Sequence, residues 1–552
     1  MSRFKAGAAA GGIALSRLSG LFRSVLVTNV LGIGLIGDAF AAAQRIPNIL
    51  QNLLGEGALS AAFVPEYSRL VDEDKEKAGE VAGSFLSFLI CLVACITGVA
   101  FLAAKPITRI IAWGFTGERF DLTVQLVRII LVGTSVLVMS AWCLSLLNSH
   151  RRFFISYAAP VAWNVVQIFV LVVLAVSELS GKSSAIALAW ALIIGSILQV
   201  AIQIPAIVKE NPNIRLSFQW KSKPTSLILK RFWPAIIGKG ALQISSFIDL
   251  AFASILSLGA ASTLAAAQTI YLLPVALIAT SIAATELPEL SRLEQPFAIQ
   301  QRVSKRLTQM LWILAPVMAI YIGAGTHIAD VLFNLGGFRE RISSEDLKVI
   351  GLTLGAYSLG LPALMGSRLL QNVYFSSGDT QTPSRISVIR LLVSATFGLV
   401  LMFQFEQLLV IGHSIVGFGD WNLAWGASAE EVRNSSVFPA RLGTVGLALG
   451  SALGAWTEFF LLRQGSLDRW NVNRLTSSRL YKDITAGLVS LSVVLLVQQL
   501  RVDHILVKIS LITGVAISAH LATSVLLGTE KPSQLLTSFR AEMTDTTKEQ
   551  NL

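Results

Sequence analysis

The 552 residues are 53% hydrophobic and only 14% charged, well short of the quarter or so of charged residues in a typical soluble domain. The net charge of +11 would suit a nucleic acid, but Lys and Arg gather in short stretches between long apolar runs, as orientation signals do. Composition therefore excludes a soluble enzyme or nucleic-acid-binding domain and points to a polytopic membrane protein. The three cysteines lie in or beside apolar runs. Cys91 and Cys95 share a helix face without His or carboxylate neighbours, which suits packing and not a metal.

The start, MSRFKAGAAAGG, is basic, but Arg17 breaks the following run before a signal-peptide core could form, so no cleavage is expected. Windows long enough to span a bilayer recur at about 6–35, 38–64, 84–104, 122–147, 158–177, 183–208, 231–257 and 263–288. They continue at about 307–325, 349–375, 386–412, 438–462, 483–500 and 505–528, making about fourteen. With both termini inside, about 26 Lys and Arg fall on the cytoplasmic side and about 10 on the other. The basic inner segments are HRRFF from His150 and residues 209–231, 292–306 and 463–482; the longest outer segment, 413–441, holds Trp421 and Trp425. The acidic run DEDKEKAGE after Val71 reads as a solvated loop.

Residues 16–69 spend charge where charge is expensive. Arg17 and Arg23 interrupt the first apolar run, and Asp38, Arg45, Asn52 and Glu56 interrupt the second. Steps of 7, 7 and 4 residues keep those last four on one helical face. Each charge in hydrocarbon costs about 2.5–3.5 kcal/mol, so such residues usually face a bundle interior or a water-filled path. The competing reading is that Arg17 snorkels to an interface, or that Asp38 and Arg45 merely neutralise each other.

An internal repeat organises the chain. AAAQRI at 41–46 recurs as AAAQTI at 265–270, and PEYSRL at 65–70 recurs as PELSRL at 288–293, with offsets of 224 and 223 residues. The second window is thus echoed by the eighth. The expected fold is an all-α membrane protein of about 14 transmembrane helices, in two pseudo-symmetric six-helix lobes plus two C-terminal helices. The expected boundaries are 1–225, 226–465 and 466–552. An even number of helices per lobe implies a rotation about an axis along the membrane normal. Pro47 and Pro274 fall inside echoed helices, where a proline favours a kink; such a bend serves as a hinge or as static packing.

SRLSGLFR, DAF followed by RIPN, GEGALSAAFVP, and GDTQTP at 378–383 together resemble the MurJ (MviN) family of lipid II flippases, relatives of the multidrug MATE transporters. The likeness runs over roughly the first 460 residues. It implies a two-lobed, fourteen-helix fold around a cationic cavity, moving the lipid-linked peptidoglycan precursor between leaflets by alternating access. It also implies that Arg17, Arg23, Asp38, Arg45, Asn48 and Glu56 bind substrate. A guanidinium can grip diphosphate oxygens with two parallel hydrogen bonds.

Two cavity charges of that family are absent: Gln51 and Asn52 stand where a further arginine is usual, and Gln268 and Thr269 where Asp-Arg is usual. Lys239 or Asp249, or Arg368 and Arg390, are further candidate cavity charges, with snorkelling or packing as the alternative. Some family members hold sodium with an aspartate and helix 11 ligands. Here the matching positions are Asp249, Ser394 and Gly398, and a glycine has no side-chain oxygen, so no metal site is expected.

The resemblance thus implies a lipid II flippase of the bacterial inner membrane; the charge asymmetry puts both termini in the cytoplasm, and no cofactor is expected. The alternatives are a flippase or exporter of another amphiphile, and a pseudo-transporter that binds without moving its ligand. No loop offers a paired-carboxylate cluster or a nucleophile with its base, so an enzyme is not expected.

Overall fold

In the computed structural model each expected apolar window falls chiefly on a helix, or on a helix pair broken by a bend, as far as its residues are described; 53–58 and 60–61 of the second window lie outside the described residues. The structure describes residues 2–529 apart from 53–58, 60–61, 178, 180, 293–294, 335–341, 413, 418–422, 436–438, 471–476, 501 and 503, and within helices it leaves out some side chains, among them 46–52 and 237–246. Among the described residues, eight helices are long and apolar enough to cross a membrane, or nine with one bent pair. The chain divides into two compact units, Met1–Ile255 and Leu256–Leu552.

The first unit holds α1 (Ser2–Leu31), α2 (Leu35–Asn52), α3 (Val64–Glu73), α4 (Lys75–Leu102), α5 (Ala104–Ile111), α6 (Gly117–Ser149), α7 (Phe153–Val176), α8 (Lys182–Glu210) and α9 (Lys223–Ile255). Gly32 and Gly34 take φ of +71° and +141° in the turn between α1 and α2, backbone that a side chain would strain. The acidic run expected to be a loop instead closes α3 and opens α4. Asp74 caps α4 by accepting from the amides of Glu76 and Lys77 at 3.0 and 3.2 Å, one of the orphan-donor solutions available to a helix start. A stacked aromatic core joins Phe63, Tyr67 and Phe85, with Phe232 edge-on, at centroid distances of 5.1–5.6 Å.

The second unit holds α10 (Ala260–Arg292), α11 (Pro296–Phe333), α12 (Ser344–Ser358), α13 (Leu361–Ser376), α14 (Gln381–Glu406), a hairpin of β1 (Leu409–Ile411) and β2 (Ser414–Val416), α15 (Glu430–Asn434), α16 (Gly443–Trp470), α17 (Ser477–Val497) and α18 (Ile505–Leu526). Two details depart from the sequence expectation. The window at 349–375 is not one helix but α12 and α13, bent by 41°. Pro362 in the first turn of α13 supplies no amide hydrogen to bridge the break. The end of the window at 386–412 leaves the helix and pairs as a strand, Leu409 opposite Val416.

Packing within each unit follows the repeat. In the first, α2 lies on α6, α6 on α8, and α7 on α8; in the second, α10 lies on α12 and α13, those two on α16, and α14 on α16. The repeated PEYSRL and PELSRL place Tyr67 and Leu290 at equivalent positions, and both are fully buried in their units' cores. The α14–α16 contact is close because Gly446, Gly450 and Gly454 turn one bare stripe of α16 against the Arg390–Met402 stretch of α14, the small-xxx-small solution for helices in lipid. The C-terminal pair α17 and α18 packs on α11.

Candidate functional site

Arg23 is the best-defined cation of the first unit. It leaves α1 toward α7, where its guanidinium lies 4.5 Å from the centroid of the Trp163 ring and donates to Gln167 Oε1 at 3.4 Å. Trp163, Asn164 and Gln167 lie on one turn of α7. Asn164 ties α7 to α1 by donating to Ser19 Oγ at 2.9 Å and to the Ser16 carbonyl at 3.3 Å. Gln167 is wholly buried and donates its own amide to the Trp163 carbonyl at 3.2 Å. These partners are neutral. Among the described residues no carboxylate lies within ion-pair range of Arg23, so the ring and the amide orient the charge without cancelling it. Arg17, six residues earlier, is exposed.

Asp38 sits differently from a cavity-wall carboxylate. It lies in the first turn of α2, where the helix dipole favours an anion, and accepts from Arg119 Nη1 of α6 at 3.1 Å. The two side chains are 0% and 2% exposed. Arg119 also lies over the Phe115 ring at 4.2 Å. The pair joins α2 to α6 and leaves this part of the stripe close to neutral. Arg45, seven residues on along the same face, is half-buried. The side chains of Asn48 and Lys239 and the whole of Glu56 lie outside the described residues, and Asp249 is half-buried on α9.

The second unit is quieter. Gln268 donates to the Tyr357 hydroxyl at 3.0 Å, Tyr357 stacks on Tyr271 at 5.0 Å, and the Thr269 hydroxyl returns to its own helix at the Ala265 carbonyl. Glu458 of α16, 1% exposed, accepts from Arg390 at 2.7 Å and from Ser387 and Gln371 at 3.0 Å each. Arg390 is thereby paired, whereas Arg368 is exposed and reaches only to Gln371, at 3.4 Å, among the described residues. Ser394 and Gly398 face Gly454 and Gly450 of α16, so helix packing occupies that side of α14. Among the described residues no three His, Cys, Asp or Glu side chains gather as metal ligands. A cavity of about 480 Å³ lies between α11, α13, α16 and α17. Its walls are apolar side chains such as Met310, Met318, Trp456, Phe460 and Leu488, with Arg463 and Asp483 at one end.

The sequence reading missed Arg119, Trp163 and Gln167. Arg119 fell just outside the fourth apolar window, within GERFD, and looked like a loop residue. The polar spacing of Trp163, Asn164 and Gln167 inside the fifth window is a helical-face signal that could have found the α7 side of the site.

A family model described as "Lipid II flippase MurJ" matches residues 27–432. Among curated relatives, a "Probable lipid II flippase MurJ" of Rhizobium meliloti is 31% identical over 419 residues, 73% of this chain and 76% of that protein. One of Rickettsia prowazekii is 27% identical over 424 residues, 76% and 82% of the two chains. Among solved structures, "Lipid II flippase MurJ, inward closed conformation" has a TM-score of 0.72 at 22% identity, covering 94% of this chain and 98% of that one. A multidrug resistance MATE family transporter in an inward-facing conformation follows at 0.63 and 15%, covering 84% and 96%.

Proposed function

The chain belongs to the lipid II flippase MurJ family, and from that membership we propose that it carries lipid II across the bacterial inner membrane for cell-wall synthesis. In this reading transport is by alternating access, 1–225 and 226–465 are two six-helix lobes, and 466–552 adds the last two helices and a cytoplasmic tail. Both termini are cytoplasmic, as the charge asymmetry of the loops supports. Transport proceeds from the inner to the outer leaflet and neither makes nor breaks a covalent bond, so no cofactor is required.

The observation that carries the reading is Arg23, an arginine in an apolar helix held by an indole face and a neutral amide. Its charge is left for an anion. A diphosphate supplies oxygens for two-pronged contacts, with Arg17 and Arg45 as further donors; the Asn48 side chain and Glu56, which the family likeness adds to the set, lie outside what the structure describes. Asp38 contributes by fixing α2 on α6 through Arg119. The apolar cavity lined by Met310, Trp456 and Leu488 has the lining to take part of a long hydrocarbon chain. The missing arginines at Gln51 and Thr269 leave the first unit to supply most of the positive charge.

The test is binding of a lipid diphosphate to purified single variants. Arg17→Ala, Arg23→Ala and Arg45→Ala should each weaken binding about ten- to a hundredfold, the equivalent of about 1.5–3 kcal/mol for a charged hydrogen bond. Arg23→Lys should rescue only in part, because lysine keeps the charge and loses the fork. Unchanged affinity in all three alanine variants, or binding lost only in proportion to thermal stability, would reduce these arginines to structural charges.

A further inference from the structure

Arg119 and Arg128 lie nine residues apart on α6, a turn of about 900°, which places them on opposite faces. Arg119 faces α2, where Asp38 holds it. Arg128 therefore points away from α2, into a second cavity of about 630 Å³ bounded by the end of α4, by α5, α6 and α8. Asp121, Gln125, Arg128 and Val132 line it at i, i+4, i+7 and i+11, one stripe of α6. Lys105 of α5 adds a second cation, and Phe101 and Trp190 add apolar walls that are 43% and 54% exposed.

The depth of Arg128 is unusual for a charge with no ion-pair partner among the described residues. The 33 residues of α6 extend about 50 Å, about 20 Å more than the hydrocarbon core. Shared equally between the ends, that excess puts Arg128, about 16 Å along the helix, about 6 Å inside the hydrocarbon boundary. Its guanidinium lies 5.5 Å from the Phe101 ring centroid, and its Nε is buried without a hydrogen-bond partner. Among the described residues no carboxylate is within ion-pair range of it. A buried Nε–H with no acceptor is costly, and an anionic oxygen in the cavity would remove that cost.

We propose that this cavity binds the headgroup of a membrane phospholipid, its phosphodiester on Arg128 and Lys105. The site lies in the leaflet at the N-terminal end of α6, the extracytoplasmic one in the orientation proposed above. The lining follows the polarity of such a molecule. Lys105, Asp121 and Gln125 are exposed at the mouth, Arg128 is half-buried below them, and Ile129, Val132 and Ile193 continue where acyl chains would run. Two cations against one carboxylate leave the pocket net positive, which selects the phosphodiester over a neutral lipid. This site is separate from the arginines of α1, because it opens on the other face of α6.

The experiment is native mass spectrometry of the full chain in detergent, titrated with phosphatidylglycerol, beside Arg128→Gln, Lys105→Gln and Lys305→Gln. The expected result is a bound lipid whose affinity falls at least tenfold in Arg128→Gln and about threefold in Lys105→Gln, an exposed position that should not disturb folding, with no change in Lys305→Gln. Millimolar inorganic phosphate should not displace the lipid, because it lacks the acyl contacts. Equal retention by wild type, Arg128→Gln and Lys105→Gln would overturn the proposal. So would displacement of the lipid by inorganic phosphate alone, which would mark a small-anion site.

Discussion

Removing one partner of the Asp38–Arg119 pair should unfold the first unit at distinctly lower temperature. Both side chains are almost wholly inaccessible and 3.1 Å apart, so Asp38→Leu removes the carboxylate that faces Arg119, and Arg119→Met removes the guanidinium that faces Asp38. Breaking a buried ion pair from one side costs about 3–5 kcal/mol, whereas replacing both members by apolar groups is often neutral or stabilising. For a unit of 255 residues, each kcal/mol moves the melting midpoint by about 2–4 °C, so each single substitution should lower it by about 6–20 °C. The double substitution should melt close to wild type. The assay is thermal unfolding of the four proteins in one detergent, followed by a probe in the first unit. Losses that add in the double variant, or singles within 2 °C or so of wild type, would refute the claim that the charges chiefly satisfy each other.

Glu458→Gln should destabilise the second unit, because it leaves Arg390 without the carboxylate that now receives it at 2.7 Å, and Arg390→Gln added to it should restore part of the loss in a melting cycle. Gly450→Ala should separate α14 from α16, since a methyl there meets the backbone at Gly398; a cysteine-crosslinking pair across the contact should then react more slowly. Burial pushes the Tyr67 hydroxyl up to about 12, so it stays protonated, and it shares a hydrogen bond of 3.0 Å with His150 Nε2. Burial is also the largest cause holding His150 below its ordinary 6.5, with Lys75 and Arg152 acting the same way and Glu210 opposing them. A histidine with a depressed pKa favours the fold when neutral, so stability should be full above about pH 6.5 and fall as the pH drops through the folded value. The difference in melting midpoint between wild type and His150→Gln, measured from pH 8 to 5, should shift in that direction; a flat difference would contradict it. Transport should depend little on sodium, and a saturable sodium requirement abolished by Asp249→Asn would contradict the ligand argument.

Hydropathy carried the helices because each window must bury or bathe in lipid a face long enough to span it, and that property is local. The repeat carried the equivalence of the α2 and α10 surroundings, visible in Tyr67 and Leu290 taking the same buried role. Pairing across distance was not legible. Nothing near Asp38 announces Arg119, 81 residues away, and nothing near Arg390 announces Glu458, because a charge in an apolar run has the same local signature whether it binds a ligand or another helix. The sequence showed that Asp38 and Arg45 share a face; only the fold shows that the first is consumed by α6. The break between α12 and α13 was written in Gly360 and Pro362, but an uninterrupted apolar run overrode it in the reading.

Flipping of lipid II by this chain, as proposed, depends on the arginines of α1. The most direct measurement is growth and cell shape in a bacterium depleted of its own lipid II flippase and given this chain, with Arg23→Ala and Arg23→Lys expressed to the same level in the membrane. Rescue by the wild type, failure of Arg23→Ala and weak rescue by Arg23→Lys is the predicted outcome. No rescue by a correctly inserted wild type, or full rescue by Arg23→Ala, would contradict it.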